Sequence, residues 1–392
     1  MTPDVVYLDH NATSPVRPEV LEAMLPFLKD DFANPNSAYA LGQRTRAAVE
    51  AARAHVARLL NASGPDEIVF TSCGSESDVL AVVGAARQAL RASRGKKNHV
   101  VCSAIEHDAV RLAVRGLEAD GFEATTVPVD EYGRVEAQAL CRALRPSTAI
   151  VSIMHANNEI GTLEPIREFS QICRERDIGF HTDAVQSVGK VPVDVQSLGV
   201  DLLSLSGHKI NAPKGVGALF IRRGVRLSPV ITGHQEKNRR GGTENVAGIV
   251  GLGRACRLAL EEVSHGAELL RLRRRIEEGC LRIAEARVNG HPTERLPSTC
   301  HVSFRGIDGA ALVVALDLEG ICVSSGPACS TGVSEPSHVL RATGLDPVWA
   351  RGGIRVSLGW GSRDSDVDRF LGALPHAVEK IRQAQRLPSS VL

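Results

Sequence analysis

Short β-rich runs alternate with amphipathic helical segments over residues 67–221, and this alternation is the feature that most constrains the fold. The runs are EIVFTS, HVVCSA, EATTVPV, TAIVSIM, IGFHTDA, DLLSLS and VGALFI. Segments with apolar residues at three- and four-residue spacing, such as SESDVLAVVGAARQALRAS and LEPIREFSQICRERD, lie between several of them. Strands that alternate with helices in this way favour a doubly wound, largely parallel sheet. The sequence therefore predicts an α/β fold.

The pattern changes in the last third of the chain. After the helical segment ENVAGIVGLGRACRLALEEV come HVSFRG, GAALVVALDLEG, ICVSSG and GIRVSLGW, and then the helix DVDRFLGALPHAVEKIR. This order is typical of a smaller α+β unit. We predict a large domain over residues 16–255 and a small domain over residues 256–392, which also includes residues 1–15. Two packed domains favour a binding cleft between them.

Composition excludes several classes of function. The 46 basic and 45 acidic residues give a net charge of +1, which provides no general basic surface for nucleic acid. The longest apolar runs fall short of the roughly 20 residues that span a bilayer, and the first residues do not have the pattern of a secretory signal. The nine cysteines include no C-x-x-C pair, so we expect neither a metal site nor a dithiol site. A reducing, cytoplasmic setting fits these cysteines best.

One lysine lies where a reactive amine would be useful. In SLSGHKINAPKG, Lys209 follows closely on the predicted strand DLLSLS and precedes a loop rich in Gly and Pro. An amine removed from water loses its proton more readily and can form a Schiff base with an aldehyde. A single lysine in a loop is more often a surface charge, so the choice between a surface charge and a reactive amine depends on the residues around Lys209.

Other strand ends carry residues that suit a pyridoxal phosphate site. Asp183 ends IGFHTDA and could keep a pyridine nitrogen protonated, although it could equally cap a helix. Gly74 and Ser75 open a helix after TSC, where backbone N–H groups could bind a phosphate. His107 lies at another strand-to-helix junction, where an imidazole could stack on a ring. Asn158, in MHANNEIG, offers an amide donor.

Cys329 lies in SSGPACSTG, a segment composed mainly of small and turn-forming residues. Unpaired cysteines are usually buried in cores, and nothing in this segment would bury one. We therefore interpret Cys329 as a nucleophile on a flexible loop over residues 324–335, with a buried structural thiol as the alternative.

Taken together, these motifs resemble the cysteine desulfurases. The resemblance covers about residues 5–375 and is carried by YLDHNATSP, TSCGSESD, IEHDAV, VSIMHANNEIG, HTDAVQSVGK, SLSGHKINAPKGVGALF, HQEKNRRGGTENVAGIVGLG, DLEGICVSSGPACSTGVSEPSHVLRATG and GIRVSLG. These enzymes are class V aminotransferases with the pyridoxal phosphate fold type I. The resemblance implies removal of sulfur from L-cysteine, which yields L-alanine and a persulfide on Cys329. It also implies a homodimer and a sulfur acceptor, such as an iron–sulfur scaffold protein.

The resemblance also assigns roles to individual residues. Lys209 would be the Schiff-base lysine, Cys329 the sulfur acceptor and His107 both the ring-stacking residue and the proton carrier for the substrate thiol. Thr243 would reach the phosphate of the neighbouring subunit, while Arg355 and Asn34 would bind the substrate. The remaining cofactor contacts would be Gly74, Ser75, Asn158, Asp183, Gln186, Ser206 and His208.

Two other classes of function remain open from the residues. One is a selenocysteine lyase or another class V enzyme, which would not need the loop thiol. The other is a sulfur-assembly scaffold without turnover, against which the presence of Lys209, Asp183, His107 and Arg355 together argues.

Overall fold

The computed structural model describes residues 5–261, 266–325 and 337–386. The helices are α1 (Pro18–Lys29), α2 (Ala40–Leu59), α3 (Gly74–Ala92), α4 (Asp108–Ala119), α5 (Ala137–Ala143), α6 (Ile166–Arg174), α7 (Val195–Leu198), α8 (Gln235–Asn238), α9 (Val246–Glu261), α10 (Gly266–Leu281), α11 (Gly309–Leu318), α12 (His338–Ala342), α13 (Pro347–Ala350) and α14 (Asp364–Arg386). The strands are β1 (Val6–Tyr7), β2 (Ile68–Thr71), β3 (His99–Ser103), β4 (Glu123–Val127), β5 (Thr148–Ser152), β6 (Gly179–Asp183), β7 (Leu202–Ser206), β8 (Gly217–Ile221), β9 (Ala286–Asn289), β10 (Thr299–Phe304), β11 (Ile321–Cys322) and β12 (Gly353–Ser357). Each of the seven runs first predicted as strands coincides with one of β2 to β8, so those predictions are confirmed.

The large sheet contains strands β2 to β8 in the order β2-β8-β7-β6-β5-β3-β4. Strands β3 to β7 pair in parallel, whereas β8 runs antiparallel to both β7 and β2. The predicted α/β class with a largely parallel sheet is therefore confirmed. The carboxyl ends of β2, β6 and β7 lie at the same edge, which is where ligands bind in sheets of this kind.

Helices cover both faces of this sheet, because its strands are apolar on both sides. Leu203 and Leu205 belong to a core shared with α2 and α9, whereas Leu202 belongs to a second core shared with α3 and α4. Successive side chains of a strand point to opposite faces, so a continuous apolar run buries both.

A second, three-stranded antiparallel sheet has the order β12-β10-β9. Its core includes Phe304 and Ile354 from the strands and Phe370 from α14. The N-terminal strand β1 pairs in parallel with β11, and the adjacent Leu8 is buried in the same core. Residues from the start of the chain therefore pack with residues from its last third.

The predicted boundary between residues 255 and 256 falls inside α9. Cys256 and Leu258, near the end of this helix, belong to the core of the large sheet. The division into residues 16–255 and 256–392 stays a prediction.

Within the described ranges, no helix is both long enough and apolar enough to cross a membrane. The same ranges contain no group of three or more His, Cys, Asp or Glu residues arranged to hold a metal ion.

Candidate active site

One cavity of about 540 Å³ lies at the edge of the large sheet where β2, β6 and β7 end. It is lined by ten of the residues that the sequence predicts as site residues: Gly74, Ser75, His107, Asn158, Asp183, Gln186, Ser206, His208, Lys209 and Arg355. Arg355 comes from β12 of the three-stranded sheet, so the cavity lies between the large sheet and the three-stranded sheet.

Lys209 ends a short 3-10 turn that follows β7. Its Nζ donates hydrogen bonds to the carbonyl oxygens of Asn11 and Ala12, at 2.6 and 2.7 Å. Burial, and then the neighbouring Arg355 guanidinium, lower the pKa of the Lys209 amine to about 8. Near pH 8 the uncharged form of this amine, which a nucleophile or base requires, is therefore far more populated than in a free lysine.

An anion could bind where α3 begins. The first N–H groups of a helix have no partner within the helix, and Gly74 and Ser75 provide them here. The hydroxyl of Ser206 is buried without a hydrogen-bond partner among the described residues. A Cβ added at Gly74 would lie 2.7 Å from Cγ2 of Val185 and 3.2 Å from the Cβ of Ser206, so a larger residue would displace the side chains packed here. These groups fit a phosphate.

Asp183 ends β6 and is buried in the cavity wall, where it accepts a hydrogen bond of 2.8 Å from the Val185 N–H. Burial raises its pKa, while His107 and Lys209 favour its charged form. Asp78, on α3, is also buried, and one of its oxygens has no hydrogen-bond partner among the described residues. Burial and the Asp183 carboxyl raise the pKa of Asp78 well above its usual value. We expect the negative charge of this pair to lie on Asp183.

Arg355, on β12, has a buried guanidinium that also lines the cavity. Nη1 donates to the Asn158 carbonyl oxygen at 3.0 Å, and Nη2 donates to the Asp9 carboxylate at 2.7 Å. Nε is buried and has no partner within the described part of the chain. An unpaired donor in a fixed fork fits a substrate carboxylate.

Three imidazoles line the cavity, those of His107, His208 and His338. His107 caps α4, and its Nδ1 accepts a hydrogen bond of 3.1 Å from the Ala109 N–H. His338, the first residue of α12, has its Nε2 3.0 Å from the Glu106 carbonyl oxygen. Segments that are far apart in the chain thus bring histidine rings to one cavity.

Gln186 and Asn158 belong to a hydrogen-bond network that includes the start of the chain. The Gln186 side chain donates to the Asn11 carbonyl oxygen at 2.9 Å and accepts from the Lys190 amine at 2.7 Å. The Lys190 amine also donates to the Asn11 side chain at 2.8 Å. The Asn11 side chain in turn donates to the carbonyl oxygen of Asn158 at 3.1 Å. This network holds the segment that accepts the hydrogen bonds of Lys209.

Asn34 and Thr243 do not line this cavity. Both are exposed, and Thr243 lies instead beside a separate cavity of about 70 Å³. The segments that carry them are joined, because the Asn36 side chain hydrogen-bonds to Glu244 at 3.2 and 3.3 Å. The structure therefore does not bring Asn34 to the substrate cavity of its own chain.

Cys329 lies outside the described residues. The described residues on either side of residues 326–336 belong to the cavity region. Ser324 lines the cavity and pairs with the backbone of Arg355, at 3.1 and 2.6 Å. On the other side, Ser337 donates a hydrogen bond of 2.5 Å to the buried Glu159, which also lines the cavity.

Sequence reasoning missed several residues of this site. Asp9, Asn11 and Lys190 stand in the motifs YLDHNATSP and HTDAVQSVGK, which carry part of the resemblance, so their motifs were a usable signal. Asp78 and His338 also stand in such motifs, TSCGSESD and DLEGICVSSGPACSTGVSEPSHVLRATG, but the resemblance assigns neither of them a role. Their position in the cavity depends on tertiary packing.

Comparisons with known proteins agree with this geometry. The profile of the aminotransferase class-V family matches residues 6–370. The cysteine desulfurase IscS of Methanosarcina thermophila is 48% identical over 384 residues, which cover 97% of this chain and 94% of that protein. A solved NifS-like protein matches with a TM-score of 0.89 at 37% identity and covers 96% of this chain and 100% of its own. SspA, solved in complex with cysteine, matches with a TM-score of 0.78 at 37% identity, over 90% of this chain and 98% of that one.

The chain belongs to the aminotransferase class-V family. Within that family, its resemblance to the cysteine desulfurases is confirmed over nearly its full length.

Proposed function

We propose that this protein is a pyridoxal-phosphate-dependent cysteine desulfurase, which takes sulfur from L-cysteine and leaves L-alanine. One observation carries the proposal: a lysine amine of lowered pKa, a buried aspartate, an open helix N-terminus and an arginine with an unpaired donor surround one cavity of the described chain. The relatives named above as cysteine desulfurases support the same activity.

The residues present fit the coenzyme. The Ser206 hydroxyl, unpartnered among the described residues, and the start of α3 would hold its phosphate, together with Ser75 and His208. Asp183 would face its ring nitrogen, and Lys209 would hold its aldehyde carbon. When bound, pyridoxal phosphate supplies an electron-accepting ring that labilises the bonds of an attached amino acid.

Lys209 would have two roles in the reaction. Its amine would attach the coenzyme and, once released, would accept the α-proton of the substrate. The two carbonyl oxygens of Asn11 and Ala12 fix the position of the amine. The lowered pKa leaves the amine partly uncharged near pH 8, so it can act as a base.

Arg355 would bind the substrate carboxylate through its Nε, which no described residue engages, and the adjacent edge of its guanidinium. Asp9 and the Asn158 carbonyl hold the other nitrogens and so fix the orientation of the fork. A lysine in this position would offer a single ammonium without that fork.

We expect Arg355→Lys to raise the KM for L-cysteine about 10- to 100-fold, with a smaller change in kcat, because a charge-assisted bidentate contact is lost. Steady-state alanine formation measures both constants. Arg351→Lys, on an exposed residue near β12, is the matched control and should leave KM unchanged. An unchanged KM in Arg355→Lys would contradict the assignment.

Cys329 would accept the sulfur. Its thiolate would attack the sulfur of the bound cysteine, so that an S–S bond forms while the C–S bond breaks and its electron pair stays on carbon. Ser324 lies five residues before Cys329, and an extended chain spans about 3.3–3.6 Å per residue, so five residues reach roughly 17 Å. The positions of Ser324 and Glu159 in the cavity wall support this role.

A homodimer would give Thr243 and Asn34 their proposed roles. Both are exposed, and their segments are joined through Asn36 and Glu244. We propose that this surface reaches the cavity of a second copy, where Thr243 would contact the phosphate and Asn34 the substrate. The persulfide would then pass to an acceptor protein, such as an iron–sulfur scaffold. We propose the cytoplasm as the setting, since the eight cysteines in the described ranges are all unpaired.

The direct test is a turnover assay of the purified protein supplied with pyridoxal phosphate and a thiol reductant, which reduces the persulfide and releases its outer sulfur as sulfide. We expect L-cysteine to yield alanine and sulfide in equal amounts, without a keto acid. Parallel reactions with selenocysteine, and with L-cysteine plus a keto acid, separate a desulfurase from a lyase or an aminotransferase. Coenzyme binding without turnover of any of these substrates would favour a scaffold and contradict the proposal.

A further inference from the structure

A histidine with no assigned role, His338, lines the cavity at the start of α12. Its Nε2 lies 3.0 Å from the carbonyl oxygen of Glu106. A carbonyl oxygen only accepts hydrogen bonds, so Nε2 must carry the hydrogen. In the neutral ring, Nδ1 then has an open lone pair, and it has no hydrogen-bond partner among the described residues. His338 thus offers a proton acceptor to the cavity.

His107 has the opposite arrangement. Its Nδ1 accepts the hydrogen bond of the Ala109 N–H, so in the neutral ring the hydrogen lies on Nε2. A proton could enter Nδ1 only if the ring gave up its cap of α4. His107 therefore presents a donor to the cavity, whereas His338 presents an acceptor.

The groups around His338 keep its ring uncharged near neutral pH. Burial lowers its pKa below the usual 6.5, and Arg111 on α4 and Arg341 on its own helix act in the same direction. Asp108 and the Glu106 carbonyl oppose this, but Asp108 is paired with Arg111 at 2.5 Å. Because the pKa lies below the usual 6.5, the neutral ring predominates at pH 7 and can accept a proton.

We propose that His338 is the proton acceptor for the thiol of L-cysteine and returns that proton to the carbon that the sulfur leaves. The S–H bond breaks and an N–H bond forms at Nδ1 while the sulfur is transferred and the electron pair of the C–S bond stays on carbon. The N–H bond then breaks as a C–H bond forms, which completes the methyl group of alanine. The inference rests on the proposed function, and it assigns to His338 the thiol proton that the resemblance assigns to His107.

The discriminating variant is His338→Gln. The glutamine amide can still donate to the Glu106 carbonyl, but it cannot take up a proton. General bases of this kind contribute about 100- to 10,000-fold, so we expect kcat at pH 7 to fall at least about 100-fold. The rising limb of the pH profile should move towards about 8.5, where a free thiol ionises unaided. Added imidazole should restore part of the rate.

His376→Gln, on an exposed residue of α14, is the control and should keep the wild-type profile. Coenzyme absorbance and thermal stability of His338→Gln should match the wild type, which separates lost chemistry from lost folding. A pH profile unchanged from the wild type would overturn the proposal. A loss that is equal at every pH and not rescued by imidazole would also overturn it, since that is the pattern of a structural role.

A second measurement needs no turnover. In protein labelled with ¹⁵N-histidine, the signal that disappears in His338→Gln should be that of a neutral ring with hydrogen on Nε2 at pH 7. A ring protonated on Nδ1 would overturn the inference even if the enzyme is active. Failure of the wild-type protein to release sulfide would instead contradict the proposed function, and the NMR result would still decide the tautomer.

Discussion

Replacing Lys209 by alanine is expected to abolish covalent attachment of pyridoxal phosphate and to lower sulfide release from L-cysteine about 1000-fold or more. The reason is that one amine is proposed both to hold the coenzyme and to accept the α-proton, and a positioned base alone contributes about 100- to 10,000-fold. The amine is suited to this because burial lowers its pKa to about 8. Absorbance spectra and a sulfide assay of the purified variant measure the two effects separately.

Lys214→Ala is the matched control, since Lys214 is exposed in the loop that follows. It should keep both the coenzyme absorbance and the rate. If Lys209→Ala kept the absorbance of covalently attached coenzyme after dialysis, another amine would be the attachment point. Lys190 would then be the first candidate, because it is partly buried and its pKa is also well below the usual value.

Replacing Cys329 by alanine is expected to leave coenzyme binding intact and to lower alanine and sulfide formation about 1000-fold. The reason is that the proposed reaction needs a thiolate to take the sulfur as a nucleophile. The buried cysteines cannot take over this role, because burial raises the pKa of Cys102, Cys256 and Cys300 to about 12 and keeps them protonated.

Cys141→Ala, which removes a partly exposed thiol on α5, is the control and should react like the wild type. Mass spectrometry of the wild type after brief exposure to L-cysteine should find the extra sulfur on Cys329. Sulfur found on Cys73 or Cys322, the partly exposed thiols at or near the cavity, would contradict the assignment of Cys329.

The fold was predictable because its signals are local. Continuous apolar runs such as DLLSLS specify strands buried on both faces, and residues at the ends of such strands meet at one edge of a parallel sheet. The positions of Asp183 and Ser206 at two such strand ends therefore predict a shared site, and both residues line the cavity. Gly74 was predictable for the same reason, because it follows the carboxyl end of β2 and begins α3 at that edge of the sheet.

The placement of Asn34 was not predictable in the same way. Its motif indicated a substrate pocket, yet the residue is exposed and outside the cavity of its own chain. A motif specifies residue types, but it does not specify which copy of the cavity a surface segment faces. In the proposed homodimer, the segment that carries Asn34 would face the cavity of the second copy.

Local sequence patterns specify the class of fold, the chemistry of the site and most of the residues at the strand ends, because those properties depend on neighbouring residues in the chain. Tertiary structure alone decided which distant groups act on them. Asp9 and Asn11 reach Arg355, Lys190 and Lys209 only because β1 packs beside β11. The open nitrogen of His338 likewise exists only because the Glu106 carbonyl, more than 200 residues earlier, occupies the other one. Burial and hydrogen-bond partners of this kind are set by packing across the chain, and they fix charge and tautomer where a motif fixes only the residue type.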